Sequence, residues 1–196
     1  EAELIHATSP EECIAALIPM KEQSQPLSLG WIADDDGSLI ALAVLQNVET
    51  AEVLVIEHAL LEDNDVIAAL SSFTAYGGIG FDAHNAKELT RGLRQLGLVE
   101  EGLRVDTAIA AYLLDPTGGR YVLDDLLMRY CREELVRSET ANAGQLDLGG
   151  GGDNLFLDIA RDALAVSRLA PTMLKLIDER SMTWLYEELE RPLISV

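Results

Sequence analysis

The sequence predicts an α/β or α+β sandwich around one small sheet, and three observations carry that prediction. Short apolar runs of strand character gather in the first half. Helical periodicity fills the second half. An Asp-Gly pair joins two of the early apolar runs. Strands collected before helices, with mixed connections, suit a single sheet covered by helices. No internal repeat suggests a solenoid or a propeller.

Taken in order, Leu27–Ala33 and Leu39–Leu45 are apolar runs separated by Asp34-Asp35-Asp36-Gly37. That is a hairpin signal, because the favoured two-residue turn needs positive φ at both central positions. Glu52–Ile56 supplies a third strand and Gly78–Phe81 a fourth, with a helix over Val66–Phe73 between them. His84–Leu96 places Leu89, Leu93 and Leu96 at helical intervals. Asp106 is placed to cap a helix over Thr107–Leu114, and Pro116 ends it. Val122–Cys131 is a further helix. The polar, Gly-rich stretch from Ser138 to Gly152 reads as a mobile loop. A long helix over Asn154–Arg180 follows, with a last one from Met182.

At 196 residues the chain reads as one domain, able to bury about 70% of its extended surface. Its 48% hydrophobic and 24% charged content is that of a globular protein. No apolar run reaches the ~18 residues of a membrane span, and no basic-then-apolar leader opens the chain. Cys13 and Cys131 stand alone, which disfavours zinc and redox pairs and points to reduced thiols in a cytoplasmic protein. The net charge of −20, from 14 basic and 34 acidic residues, argues against tight autonomous binding of nucleic acid. Such binding gains its free energy when Lys and Arg displace cations from the polyanion. A start at Glu1 without Met, and an end inside the apolar pattern Leu185, Leu189, Leu193, Ile194, suggest a piece of a longer polypeptide.

Asp162 is the outstanding candidate residue. It lies in the series Leu155, Ile159, Asp162, Val166, Leu169, Met173, Leu176, whose spacings of four and three define one helix face. An ionised acid on a buried stripe needs a cation or hydrogen-bond donors to compensate it. It reads either as a metal ligand or its remnant, or as an acid at the stripe's edge paired with an arginine. Asp34, Asp35 and Asp36 read as a solvated turn, since a calcium loop with Gly37 sixth would begin at Ile32. Gly78-Ile79-Gly80-Phe81-Asp82-Ala83 matches the dinucleotide fingerprint only formally, for no strand precedes it. Gly149 to Gly152 lacks the Lys-Ser/Thr of a phosphate loop. His6, His58 and His84 show no metal-ligand spacing, and no nucleophile elbow or triad context supports acyl transfer.

The string Val105-Asp106-Thr107-Ala108-Ile109-Ala110-Ala111-Tyr112-Leu113-Leu114-Asp115-Pro116, then Gly119-Arg120 and Leu123-Asp124-Asp125-Leu126, resembles the proofreading-exonuclease domain of bacterial DNA polymerase I. The closing Glu187-Glu188-Leu189-Glu190-Arg191-Pro192-Leu193 is similar to the segment that leads from that domain into the polymerase thumb. The resemblance covers nearly the whole chain, with specific middle and C-terminal strings and a weaker match in the first strands. It implies a ribonuclease-H-like (DnaQ-type) fold, a small mixed sheet with helices on both faces. It divides the chain into an exonuclease-like domain, 1–180, and the start of the helix leading into a polymerase domain, 181–196.

Active members of that family hold two divalent metals with four acids. Paired acids at i and i+2 of a strand share a face, and two cations can stabilise both the attacking and the leaving oxygen of a phosphodiester. The resemblance puts the first-strand Asp-x-Glu on Gly30 and Ile32. It puts the Asn-x-x-x-Asp motif on Asp82 and Ala86, and the Tyr-x-x-x-Asp motif on Asp158 and Asp162. Only Asp162 keeps its acid, and the tyrosine that would orient water is missing.

The expectation is therefore a degenerate, catalytically inactive module of an actinobacterial-style or similar acidic DNA polymerase I. It has no catalytic residue, metal or cofactor, and Asp162 is neutralised by an arginine or by protonation. It would pack against a polymerase domain C-terminal to Val196 and space it from an upstream 5′ nuclease domain. DNA would be met only through the parent polymerase, in the cytoplasm at the nucleoid, with no membrane contact. The alternative slides the first motif by four residues and makes the chain a weak Mg²⁺- or Mn²⁺-dependent 3′–5′ exonuclease using Asp34, Asp36, Asp82 and Asp162. A third reading is an unrelated acidic binding module.

Overall fold

The computed structural model describes residues 2–22, 24–137 and 151–194. In chain order the elements are β1 (Glu3–His6), α1 (Pro10–Glu22), β2 (Leu27–Ala33), β3 (Leu39–Asn47), β4 (Glu52–Glu57), α2 (His58–Leu61) and α3 (Asn64–Thr74). They continue with β5 (Phe81–Ala83), α4 (Ala86–Gln95), β6 (Leu103–Asp106), α5 (Thr107–Leu114), α6 (Leu123–Cys131) and α7 (Gly151–Glu179). The last segment runs through α8 (Thr183–Leu185), a π-helical turn (Tyr186–Glu190) and α9 (Arg191–Ile194). The strands form one mixed sheet of six in the order β1-β4-β3-β2-β5-β6. β3 runs antiparallel to both β2 and β4, while β1–β4, β2–β5 and β5–β6 are parallel.

Both faces of the central strands are buried, so they read as continuous apolar runs, and the pleat still sorts them by alternation. Leu42, Val44, Leu54 and Ile56, with Leu27 and Leu29, join Leu17, Leu70, Phe73, Phe81, Leu89 and Leu93 in the core beneath α1, α3 and α4. Ala41, Ala43, Val53 and Val55 face the other way, onto Ile159, Ala160 and Ala163 of α7, with Ile32 packed beside them. This second seam is made largely of alanine, and small side chains let a helix backbone approach a sheet closely. Further along, α7 packs through Val166, Leu169 and Met173 on α5 and α6.

The hairpin after β2 differs from the expected two-residue turn. Gly37 alone has positive φ (84°); Gly37 N–H donates to Asp34 O, and Asp34 Oδ1 accepts from the amides of Asp36 and Ser38. Asp34 thereby closes the turn itself, as short Asx side chains do. The predicted strand Gly78–Phe81 is corrected to Phe81–Ala83. Gly78, Ile79 and Gly80 instead return their amides to Ala75, Ser72 and Phe73 at the end of α3. The helix expected from His84 starts at Ala86, after a left-handed Asn85 (φ 53°). The helix at Thr107–Leu114 has the predicted bounds and the predicted cap.

Four elements went unpredicted: β1, α1, α2 and β6. For α1 a signal existed in Ser9-Pro10-Glu11-Glu12, a cap residue, a proline at the first helical position and an acidic first turn. The Glu12 amide indeed donates to Ser9 Oγ at 3.3 Å. The proposed loop from Ser138 lies, up to residue 150, outside the described residues, and α7 already includes Gly151.

Candidate functional site

The site is built where the ends of β2 and β5, the start of α5 and the middle of α7 meet. Asp106 organises it. At the end of β6 its carboxylate accepts the Ala108 amide (2.9 Å), capping α5, and also the amides of Ala86 (2.8 Å) and Asn85 (3.2 Å), fixing the entry to α4. One buried acid thus satisfies donors from two helix starts, which the sequence disclosed only for the nearer one.

A cavity of about 650 Å³ opens beside it, lined by His84, Asn85, Ile109, Tyr112, Arg120, Tyr121, Arg137 and Asp162, among others. His84 is held from two sides. Trp31 Nε1 donates to its carbonyl at 3.0 Å, and its Nδ1 lies 2.8 Å from Thr107 Oγ1. Burial first, and the Arg137 charge second, push the imidazole down to about 4, so it is neutral at physiological pH. Tyr112 and Tyr121 meet edge to face, their ring centroids 6.0 Å apart.

The sequence-derived positions fall as follows. Gly30 and Ile32 both look onto α7. An ideal Cβ on Gly30 would lie 1.8 Å from the Ile159 carbonyl oxygen and 3.0 Å from the Ala163 nitrogen, so helix backbone fills the space a side chain would need. Ile32 packs among the apolar residues of the α7 seam. Ala86 is fully buried in the opposite core. Asp82 is buried, with Arg104 Nε 3.4 Å from an oxygen that has no hydrogen-bond donor, and burial lifts it to about 6 against the pull of Arg104. Asp158 is ion-paired with Arg161 at 3.2 Å on the same helix.

Asp162 meets Arg137. The Arg137 Nη1 lies 2.6 Å from Asp162 Oδ1, while Nε and Nη2 hold Asp124 on α6 at 3.2 and 2.5 Å. Burial raises the Asp162 carboxyl, and Arg137 opposes that rise. Arg137 was not singled out by the sequence, and Asp124 entered only within a string that carries the resemblance; no local pattern links an arginine to an acid on a distant helix. Among the described residues no group of three or more His, Cys, Asp or Glu could hold a metal ion. The donor set a pair of divalent cations needs does not fit here: three of its four positions, Gly30, Ile32 and Ala86, carry no side-chain ligand atom, and the fourth, Asp162, is paired with Arg137.

A mixed six-stranded sheet with helices on both faces is a ribonuclease-H-like fold, and solved structures share it. The structure of the polymerase domain of Pol1 from M. smegmatis in complex with DNA primer-template and dNTP matches 98% of this chain and 30% of its own, with TM-score 0.75 and 24% identity. The Trypanosoma brucei RRP6 catalytic core and RNase D match at TM-scores 0.70 and 0.71 with 14% and 13% identity. They cover 98% and 94% of this chain, and 52% and 71% of their own.

In sequence the chain is homologous to mycobacterial DNA polymerase I. It is 42% identical to the Mycobacterium tuberculosis protein over 89 residues, 45% of this chain, and 35% identical to that of Mycobacterium leprae over 117 residues, 58% of this chain. These matches span only 10% and 13% of the relatives' length. No family model matches. No described helix is long and apolar enough to cross a membrane.

Proposed function

We propose that this chain is a catalytically silent 3′–5′ exonuclease-like module of a DNA polymerase I, retained as a structural spacer and scaffold for a polymerase domain in replication and repair. The observation that carries the reading is Gly30. Its side-chain space belongs to the Ile159 carbonyl. An acid there would have to displace a helix, so the loss of the first ligand is built into the packing of α7 on β2. A hard-cation site depends on several oxygen ligands at short range, and removing most of them removes the field that holds the ions.

The polymerase domain, an upstream 5′ nuclease domain and DNA reached through the parent enzyme are the partners this reading implies, in a cytoplasmic, nucleoid-associated setting. The likeness to Pol1 and to the mycobacterial polymerases supports it. The net charge of −20 supports a module that leaves DNA binding to its neighbour. The second reading, a weak metal-dependent exonuclease, asks Asp34 and Asp36 to serve as ligands. Against it, Asp34 is engaged in its own turn, and that turn rests on α4 through Ser38 Oγ donating to Gln95 Oε1 at 2.8 Å.

The test is release of mononucleotides from labelled single-stranded DNA with Mg²⁺ or Mn²⁺. The silent reading expects the same background for this chain and for Asp162→Ala. Metal-dependent release abolished by Asp162→Ala would establish the exonuclease instead.

A further inference from the structure

Two carboxylates on facing helices, Asp124 and Asp162, meet at one guanidinium beside the cleft. Asp162 and Asp158 project from α7, Asp124 comes from α6, and the Asp162 carboxyl feels the charge of both others. Asp158 is paired with Arg161 on its own helix, and the other two repel one another unless a cation sits between them. One does. Arg137, in the non-helical stretch that follows α6, brings its guanidinium to Asp162 at 2.6 Å and grips Asp124 through Nε and Nη2. Leu135, two residues earlier, packs on the α5–α6–α7 core, so the stretch is anchored and not merely near. The Arg137 side chain is two-thirds buried and lines the cavity together with Asp162.

We propose that Arg137 is the resident cation of this cleft. Its fixed charge takes the position that a divalent ion would otherwise occupy between Asp124 and Asp162, and the same contact straps residues 132–137 across the junction of α6 and α7. The proposal rests on the reading of the cleft as a silent exonuclease site and extends it: metal is excluded by an occupant as well as by lost ligands. Arginine suits the role because its guanidinium is always charged, sheds water more readily than an ammonium, and can engage two carboxylates at once. Removing it leaves a pair of carboxylates on facing helices, and one or two carboxylates with water suffice for weak binding of a small divalent cation.

The experiment is thermal unfolding of the 196-residue chain, Arg137→Ala and Arg137→Ala/Asp162→Asn, each with MnCl₂ and with NaCl of equal ionic strength. Mn²⁺ should raise the Tm of Arg137→Ala by a few degrees, on the order of what millimolar affinity gives at ~10 mM ion. It should leave the parent chain and the double variant unmoved. An equal response of the parent and Arg137→Ala, or a response that survives Asp162→Asn, overturns the proposal.

If Arg137→Ala does not fold, phenylglyoxal labelling read by mass spectrometry decides, with exposed Arg120 as internal reference. Arg137 should be protected in the parent chain and several-fold more reactive in Asp124→Asn/Asp162→Asn. Reactivity equal to Arg120 in the parent chain, or no rise in that variant, defeats the idea. Nuclease activity of the parent chain with Mn²⁺ is scored separately and would defeat the silent reading instead.

Discussion

The Tyr186 hydroxyl oxygen accepts the backbone N–H of Asp106 at 2.9 Å, across 80 residues of sequence. The phenol is buried, and burial pushes its ionisation well above the ordinary tyrosine range, so it stays protonated. It ties the π-helical turn to the last residue of β6, whose side chain caps α5 and holds the start of α4. A bond between the C-terminal segment and the residue that organises the cleft makes that segment part of the domain's structure.

Tyr186→Phe keeps the ring but leaves the buried Asp106 N–H without an acceptor, which costs about 1–3 kcal/mol. Urea unfolding should show a lowered midpoint with an unchanged m-value. A midpoint equal to that of the parent chain would mean that another acceptor replaces the phenol.

Gly30→Ala should destabilise by about 1–3 kcal/mol or more, the cost of overpacking a closed contact. Gly30→Asp, which places a carboxylate at the position the resemblance assigns to a first ligand, should destabilise at least as much and should confer no metal-dependent nuclease activity. A stable Gly30→Asp protein that releases nucleotides would refute this steric account.

Two buried groups titrate with opposite effect. Asp82 is lifted to about 6 by burial, so the folded state holds its proton more tightly than the unfolded chain. Its contribution falls as pH rises from about 4 to about 6 and stays low above that, by about 3 kcal/mol. His84, pushed down to about 4, is neutral when folded while the unfolded chain protonates near 6.5. Its contribution is complete above about 6.5 and is lost as pH falls toward 4. Asp82→Asn should therefore gain stability relative to the parent chain between pH 4 and 6, and His84→Gln should gain relative to it as pH drops below 6. Urea midpoints at pH 4.5, 5.5 and 7 of the three proteins (about one pH unit apart across both transitions) test both signs; parallel curves would show that neither group is shifted.

Asp34→Ala removes the acceptor for two turn amides and should cost about 1 kcal/mol. It should leave the nuclease background untouched. A metal-dependent signal that disappears with Asp34→Ala would place the first ligand in the turn and revive the exonuclease reading.

Much of the layout was written locally. The apolar runs of β2, β3 and β4, the Asp106 cap and the bounds of α5 follow from periodicity and cap chemistry that act within a few residues. So does the placing of Asp162 on the buried face of a long helix. The same local signals also identified the hairpin, though not its turn, because Asp34 closes it with its own side chain. The strand β6 and the edge strand β1 were missed because each is only four residues long, too short to show a period.

What tertiary structure alone decided is which groups meet. The sequence shows a glycine at position 30, but only the approach of α7 across an alanine seam makes that glycine obligatory. It shows an acid at 162, but only the fold brings Arg137 and Asp124 to it. It shows a tyrosine at 186, and the π-helical turn delivers its hydroxyl to a strand 80 residues away. Local backbone preferences are set by neighbours in the chain, whereas steric exclusion and charge pairing are set by neighbours in space. The state of this cleft belongs to the second kind.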